Sequence, residues 1–281
     1  MSQLERKVAF VTGGGNGIGA ALARALADRR YKVAVTDIDV ETARAVAEDI
    51  VARGGMAISL KHDVTRPQEW AEAVARTERE LGPIDFLASN AGVAGSMRPL
   101  EKVSADYLRW LLEVNLISAL HAIHTVVPGM RARKSGQVLF TGSLASVSAG
   151  GGNSEYCMSK HALLAMAAAL RDEAGPDGVQ VSLLAPASVE SKLAATTRKI
   201  LPQALEKEAL FDSDEKMQSK AASSALLGGR ISAEEAIRLT LHQMDRGGFL
   251  IFTHPKSRIA TERRGREVAD GFDLLDAALR A

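Results

Sequence analysis

The chain has 281 residues, of which 46% are hydrophobic and 25% charged, a balance typical of a globular protein with a sizeable core. Its net charge of +1 offers no basic footprint for nucleic acid, and we expect no nucleic-acid partner. The single cysteine, Cys157, excludes an internal disulfide and favours a reducing compartment. Without a signal-peptide pattern or an uninterrupted apolar run of spanning length, we expect a soluble cytoplasmic protein with no membrane partner.

Short apolar runs alternate with stretches of helical periodicity along the chain. The runs predict strands at Val8–Val11, Val33–Thr36, Met56–Leu60, Ile84–Ser89, Gln137–Thr141, Gln180–Leu184 and Leu250–Phe252. The periodic stretches predict helices at Ile18–Leu26, Glu41–Arg53, Pro67–Leu81, Ala105–Arg133, Ser154–Ala174 and Ala233–Arg246. Apolar runs without polar alternation indicate strands buried on both faces. We therefore predict an α/β fold: one Rossmann-like domain over residues 1–281, with a doubly wound parallel sheet of about seven strands and helices on both faces.

Two segments depart from this alternation. Residues 190–229 lie between a predicted strand and the last predicted helix, and they mix apolar with charged residues. We predict that they form a small substrate lid, because such lids shield a reaction from water; a surface excursion without a role is the alternative. Residues 254–281 form a basic, then amphipathic tail. This tail predicts a terminal helix that docks on its own or on a neighbouring subunit.

A glycine-rich turn follows the first predicted strand. The segment Thr12–Gly19 reads T-G-x-x-x-G-x-G, with glycines at 13, 17 and 19 and with Asn16 and Ile18 between them. Glycines let backbone amides approach a pyrophosphate, and the next helix adds its positive N-terminal end. We therefore expect Gly13, Asn16, Gly17, Ile18 and Gly19 to contact a dinucleotide. The motif resembles the cofactor motif of the short-chain dehydrogenase/reductase family.

The end of the second predicted strand bears on cofactor choice. Asp37 can accept hydrogen bonds from the adenosine ribose hydroxyls, and its charge would repel a 2′-phosphate. Family members that prefer NADP tend to carry a basic residue at one of two places, which here hold Asn16 and Ile38. We therefore expect NAD as the cofactor, with Asp37 and Ile38 beside the ribose. A simple capping role for Asp37 is the alternative, and Asp39 is its nearest competitor.

The resemblance implies further cofactor contacts at the ends of later strands. Asp63-Val64 follows the third strand, where the family places such a pair beside the adenine. Ser89-Asn90-Ala91-Gly92 resembles the family's N-N-A-G, with Ser89 replacing the first Asn, and implies cofactor contacts by Asn90, Ala91 and Gly92. After the sixth strand, Pro186, Val189 and Ser191 correspond to the family's contacts with the nicotinamide amide. Ala187 replaces the usual glycine there, so we expect this loop to differ slightly.

Tyr156 and Lys160 lie four residues apart in a predicted helix, on one face. A tyrosine has an ordinary pKa of about 10, and a nearby ammonium together with an oxidised nicotinamide favours its phenolate. We predict that Tyr156 acts as general acid and base. The resemblance implies that Lys160 also binds the nicotinamide ribose. A half-exposed helix face without a role is the alternative for this pair.

Two polar residues complete the predicted catalytic set. Ser143 ends a strand thirteen positions before Tyr156, a separation typical of the family, and its hydroxyl can hold the substrate oxygen. Asn115 lies within a long apolar helix, where a polar side chain is unfavourable. The resemblance implies that Asn115 supports Lys160 through a water. A turn residue and a satisfied structural amide are the respective alternatives.

The substrate is expected to be a neutral, apolar secondary alcohol or ketone. We predict that it lies between Ser143, Tyr156, the loop 150–153, Met97 and the lid. A 3-oxoacyl-thioester reductase and, from another class, a non-enzymatic nucleotide-sensing protein are the alternative functions. His121 and His124 lie three apart, but no ligand cluster completes a metal site, and we expect no metal.

The helices around residues 108–127 and after Lys160 are apolar on several sides. In the family, the two corresponding helices pair across a two-fold axis. We therefore expect a homotetramer, or at least a homodimer.

Overall fold

Seven parallel strands form one sheet in the order β3-β2-β1-β4-β5-β6-β7. The computed structural model describes residues 6–150, 152–208 and 228–280. The strands are β1 Val8–Thr12, β2 Lys32–Asp37, β3 Met56–Lys61, β4 Ile84–Ser89, β5 Gly136–Thr141, β6 Val179–Ala185 and β7 Leu250–Phe252. Each predicted strand is confirmed to within one residue at either end. The doubly wound parallel sheet predicted from the alternation is thus confirmed.

Helices cover both faces of this sheet. In the described part of the chain they are α1 Gly17–Asp28, α2 Val40–Ala52, α3 Pro67–Glu80, α4 Ala105–Leu112, α5 Ser118–Ala132, α6 Ser154–Ala174, α7 Leu193–Ile200, α8 Ala233–Met244 and α9 Arg258–Arg280. On one face, α1, α2 and α8 bury residues such as Leu22 and Ile237 against the strands. On the other, α3 to α6 bury Trp70, Tyr107 and Leu163. The strand order reverses at β1 and β4, which opens a crevice at their carboxyl ends.

The helix predicted over residues 105–133 is interrupted. A π turn at Glu113–Ile117 separates α4 from α5, and Asn115 lies within it. Helical periodicity does not reveal such a turn, because a π turn adds a residue to the helix without a helix-breaking proline or glycine.

Residues 105–132 also require a correction to the expectation about membrane-spanning length. Within the described ranges they form one helical stretch that is long and apolar enough, by length and composition, to cross a membrane. In this fold the stretch packs against α3, α6 and strands β4 and β5. Of its most apolar 18 residues, 44% are buried. A core helix of a sheet protein satisfies the same criteria.

The two irregular segments differ in how they meet the sheet. In the predicted lid, α7 and a 3-10 turn at Gln203–Glu208 precede residues 209–227, which lie outside the described residues. Leu201 and Leu205 of this segment join the core beside α4 to α6. The predicted terminal helix is present as α9, but none of its described residues is buried. Docking along its length on its own subunit is therefore not observed.

Candidate active site

A cavity of about 590 Å³ opens at the carboxyl ends of β1 and β4. The turn after β1 lines one side, α6 lines the other, and α7 closes the top. All residues predicted to bind the cofactor line this cavity, as does Ser143: Gly13, Asn16, Gly17, Ile18, Gly19, Asp37, Ile38, Asp63, Val64, Asn90, Ala91, Gly92, Tyr156, Lys160, Pro186, Val189 and Ser191. Strand ends far apart in sequence thus bring the predicted set together.

Gly17 and Gly19 show why the turn after β1 needs glycine. Gly17 has a φ of +51°, and a Cβ there would lie 3.3 Å from the Cβ of Ser191. A Cβ at Gly19 would lie 2.1 Å from the carbonyl oxygen of Gly13. The backbone of the turn therefore passes directly against its neighbours, with no room for a side chain at these positions.

Asp37 lies at the far end of the cavity, at the end of β2. Its carboxylate accepts hydrogen bonds from the backbone amides of Gly15 and Asp39, both at 3.0 Å. Burial raises the pKa of Asp37, and these two hydrogen bonds oppose that rise. The carboxylate is thus fixed in place, and each oxygen retains a lone pair for a further donor.

Lys199 of α7 approaches this same end of the cavity. Its Nζ lies 2.5 Å from Oδ2 of Asp39, and the pair lowers the pKa of Asp39 and raises that of Lys199. The charge of Asp37 also contributes to the rise at Lys199. Sequence reasoning missed this cation, because it considered only basic residues within the motifs near Asp37. The contact joins positions 160 residues apart.

Asn90 connects the turn after β1 to the end of β5. Its side-chain amide donates to the carbonyls of Thr12 at 2.9 Å and Gly13 at 3.2 Å. The same side chain accepts from the hydroxyl of Thr141, at the end of β5, at 3.0 Å. The ends of β1, β4 and β5 are therefore tied together by one amide.

Tyr156 and Lys160 face the cavity from α6, as the four-residue spacing predicts. The Nζ of Lys160 lies 5.7 Å from the centre of the Tyr156 ring and donates to the carbonyl of Thr141 at 2.8 Å. Lys160 is buried, so its ammonium is shielded from water. Ser143 begins the short turn after β5, where its Oγ accepts from the amide of Ala145.

The pKa values of this pair run against the simple electrostatic expectation. Burial raises the pKa of Tyr156 to about 12, although a hydrogen bond with Ser143 opposes the rise. Burial lowers the pKa of Lys160 to about 8. The protein groups by themselves therefore favour a neutral phenol, and the ammonium does not overcome the desolvation of Tyr156.

Asn115 is expected to support Lys160 through a water, and this water-mediated contact stays a prediction; a Cβ at Gly92 would lie 3.1 Å from Oδ1 of Asn115 and 3.7 Å from Nζ of Lys160. The side chain of Asn115 accepts from the amide of Val93 at 2.8 Å and donates to the carbonyl of Val93 at 3.0 Å and to Oγ of Ser159 at 3.2 Å. It does not line the cavity. The π turn directs Asn115 onto the backbone after β4, so its amide fixes Val93 beside the site.

The substrate side also differs from the prediction. Met97, Gly150, Gly152 and Asn153 do not line the cavity, and Gly151 lies outside the described residues. These loops meet each other instead, since a Cβ at Gly95 would lie 2.1 Å from Oδ1 of Asn153. The apolar wall is formed by residues that the motifs did not indicate: Val93, Trp110, Val114, Leu193 and Ile200.

Glu155, directly before Tyr156, is a fully buried carboxylate that sequence reasoning also missed. It accepts hydrogen bonds from the amide and, at 2.7 Å, from the hydroxyl of Ser96. A charged residue within a buried helix is the signal that points to it. Glu155 thereby holds the loop after β4 against the start of α6.

Comparison with known proteins decides the family. The family model described as short chain dehydrogenase matches residues 7–201, which include every element of the cavity up to α7. The chain belongs to the short-chain dehydrogenase/reductase family. This dehydrogenase is accordingly an oxidoreductase that acts on CH–OH groups and uses a nicotinamide cofactor.

Individual relatives agree with this membership. A cyclohexanol dehydrogenase from Acinetobacter sp. (strain SE19) is 30% identical over 69% of this chain and 77% of its own length. A short-chain dehydrogenase/reductase from Burkholderia phymatum, in complex with NAD, has a TM-score of 0.85 at 25% identity, with 96% of each chain covered. A short-chain dehydrogenase from Sphingobium yanoikuyae, in complex with NADPH, has a TM-score of 0.72 at 22% identity, covering 98% of this chain and 94% of its own. The last likeness concerns the fold alone.

Proposed function

We propose that this dehydrogenase transfers a hydride between NAD and a secondary alcohol or ketone, with Tyr156 as the general acid and base. The observation that carries the proposal is the placement of a fixed carboxylate, Asp37, at one end of a single cavity and of Tyr156 with Lys160 at the other. The glycine turn between them is shaped for close approach by a pyrophosphate. The residues present therefore fit a nicotinamide dinucleotide.

The preference for NAD rests on Asp37. Its remaining lone pairs suit the two ribose hydroxyls, whereas a 2′-phosphate would meet a carboxylate at close range. Lys199, a cation near Asp37, is paired with Asp39. The NAD complex of the Burkholderia relative supports the same assignment.

Tyr156 handles the proton at the substrate oxygen. A bound nicotinamide supplies the hydride acceptor for alcohol oxidation and the hydride donor for ketone reduction. With a pKa of about 12, Tyr156 carries its proton at neutral pH and is ready to donate it to a ketone. In the reverse direction the phenolate form requires added positive charge near Lys160, which an oxidised nicotinamide brings.

Three residues position this proton transfer. Ser143 shares a hydrogen bond with Tyr156, so the two hydroxyls converge on one point where a substrate oxygen can lie. The carbonyl of Thr141 holds the ammonium of Lys160 within reach of the ring. Asn115 fixes the backbone of Val93 beside them and acts as a positioning residue.

The apolar wall of Val93, Trp110, Val114, Leu193 and Ile200 favours a neutral, bulky or cyclic substrate body. The name of the Acinetobacter relative, a cyclohexanol dehydrogenase, supports this class. We propose cyclic secondary alcohols and their ketones as the substrate class. The predicted lid, residues 190–229, would cover them, and in its described part α7 lines the cavity.

The test is a steady-state assay at 340 nm with cyclic secondary alcohols, linear secondary alcohols and 3-hydroxyacyl thioesters, each with NAD and with NADP. We expect the highest kcat/KM for a cyclic alcohol with NAD. A preference for NADP together with a 3-oxoacyl thioester would contradict the proposal. Binding of NAD without turnover of any alcohol or ketone would point to a nucleotide-sensing protein.

We also propose a cytoplasmic homotetramer. Its lone cysteine, Cys157, is buried and unpaired among the described residues, in keeping with a reducing compartment. Several apolar residues of the π turn, α5 and α6, among them Leu116, Ile123, Leu164 and Met166, are only partly buried. Sedimentation at micromolar concentration tests the assembly, and a monomer there would contradict it.

A further inference from the structure

Helix α9 carries an apolar stripe that the chain itself does not cover. Val268, Phe272, Leu275 and Leu279 recur at spacings of four and three residues, which places them on one side of the helix. Their exposed fractions are 50%, 65%, 51% and 77%. An apolar stripe of this regularity is the pattern by which one helix packs against another. We call these four residues the α9 seam.

The beginning of α9 lies against the body of the molecule. Ala260, Arg263, Arg264 and Glu267 line a second cavity of about 590 Å³, together with α6 and the loop at 147–150. No member of the α9 seam lines that cavity. The seam therefore extends beyond the part of the helix that its own chain supports.

The sequence of α9 is also a poor one for a helix without a partner. Gly265 and Gly271 lie inside it, and a Cβ at either position would have no described atom within 4 Å outside its own stretch of helix. Glycine in an exposed helix costs about 1 kcal/mol relative to alanine, and isolated helices are marginally stable in water. Neither local propensity nor contacts within the chain account for a helix of 23 residues here. Packing along the seam would account for it.

The charges of α9 indicate which partner fits. Residues 258–266 hold four arginines and one glutamate, a net charge of +3 (4 − 1). Residues 267–280 hold one glutamate, three aspartates and one arginine, a net charge of −3 (1 − 4). A second α9 in antiparallel orientation places each basic half beside an acidic half, whereas a parallel one places like charges together.

We propose that α9 pairs with α9 of a second copy of this chain, antiparallel and about a two-fold axis. Such a contact is isologous, so each chain contributes the same seam and the same two charged halves. The acidic half disfavours the alternative of an anionic lipid surface, which attracts amphipathic helices through basic residues. The pairing does not depend on the reaction that the cavity performs.

The first experiment disrupts the seam. In the full-length chain, Phe272→Asp with Leu275→Asp should raise the dissociation constant of the oligomer at least about ten-fold in sedimentation equilibrium. Leu274→Asp is the matched control, because Leu274 is 73% exposed and lies about 100° around the helix from Leu275. It should leave the dissociation constant within about three-fold of the wild type. The melting temperature of the body should stay unchanged in both variants, since the substituted residues are 51–73% exposed.

The second experiment tests orientation. Replacing Arg263, Arg264 and Arg266 by Glu, or Asp270, Asp273 and Asp276 by Lys, should each weaken the oligomer at least about ten-fold, and combining both sets should restore it. Hydrogen exchange at residues 265–280 should slow when the wild type associates. The pairing would be overturned if the wild type were monomeric, or if the double seam variant had the same dissociation constant as the wild type. It would also be overturned if Leu274→Asp raised the dissociation constant as much as the double seam variant, or if the combined charge swap restored no association.

Discussion

The two sides of the cavity are held together in different ways. On the side of the glycine turn, backbone groups make the contacts, as in the amide of Gly14 to the carbonyl of Thr36 at 2.9 Å and the amide of Gly15 to Asp37. On the side of the lid, long or exposed side chains make them, as in Lys199 to Asp39 and Arg98 to the carbonyl of Lys207. Backbone geometry fixes the first side, whereas exposed ion pairs contribute little. Substitutions should therefore have large effects on the first side and small ones on the second.

Tyr156, where the two sides meet, should show the largest effect. Tyr156→Phe removes the proton that the reaction transfers, so kcat should fall by about 10³-fold while the dissociation constant of NAD stays nearly unchanged. Calorimetric titration with NAD and the 340 nm assay measure the two quantities. Tyr107→Phe is the control, since Tyr107 is also buried but donates to the carbonyl of Ala94 outside the cavity. Substantial activity in Tyr156→Phe would refute the mechanism.

The buried charge of Lys160 should lower the stability of the protein, as a cost of its role in the site. Its pKa drops from 10.5 to about 8 on burial, so Lys160→Met should raise the free energy of unfolding at pH 7 by up to about 3 kcal/mol. Between pH 8 and 10.5 the unfolded chain binds more protons at this site, so the wild type gains stability with pH and the difference shrinks. Urea unfolding at pH 7 and pH 10 measures this. If the two proteins differed in their free energy of unfolding by the same amount at pH 7 and pH 10, burial of the Lys160 charge would not be the cause of the difference.

Asp37 tests the cofactor end on the backbone-fixed side. Asp37→Ala removes the acceptor for two ribose hydroxyls, so kcat/KM with NAD should fall at least about 30-fold, and the ratio of NAD to NADP should move toward NADP. Glu41→Ala removes the same charge from an exposed position nearby and should leave the ratio unchanged. If the ratio did not move in Asp37→Ala, the acid would be a capping residue only.

Asp39 tests the exposed side and should show the smallest effect. Asp39→Asn keeps a good N-cap for α2 but frees Lys199. Activity with NAD should stay within about two-fold, while kcat/KM with NADP should rise about two- to five-fold as the ammonium becomes available. The gain should disappear in Asp39→Asn with Lys199→Met. If kcat/KM with NAD fell as much in Asp39→Asn as in Asp37→Ala, the two sides of the cavity would not differ in their sensitivity to substitution.

The sequence predicted the backbone-fixed side well. Each element there is a short motif at a strand end, so knowing where the strands end suffices to bring Gly17, Asp37, Asn90 and Tyr156 to one crevice. The seven strands and the doubly wound order follow from the same alternation. The exact bonds did not follow, because the direction of an amide such as Asn115 depends on a π turn that leaves no mark on periodicity.

What the sequence did not predict depends on side chains that meet across long separations. Lys199 reaches Asp39 from a segment without a motif, and Glu155 reaches Ser96 across two loops. The apolar wall of the cavity includes Trp110 and Ile200 rather than Met97, because the loops at 95–97 and 152–153 contact each other. Such contacts depend on loop conformation, which hydrophobic periodicity does not encode.

The amide of Asn90 has a practical consequence for protein engineering. One side chain anchors the turn after β1 and also the strand end that receives the ammonium of Lys160. A glycine turn moved from this enzyme into another one to change cofactor use would keep this anchor only if Asn90 and Thr141 were transferred with it. Grafts that replace the turn alone should yield soluble proteins with misaligned chemistry, so the three strand ends are best exchanged as one block.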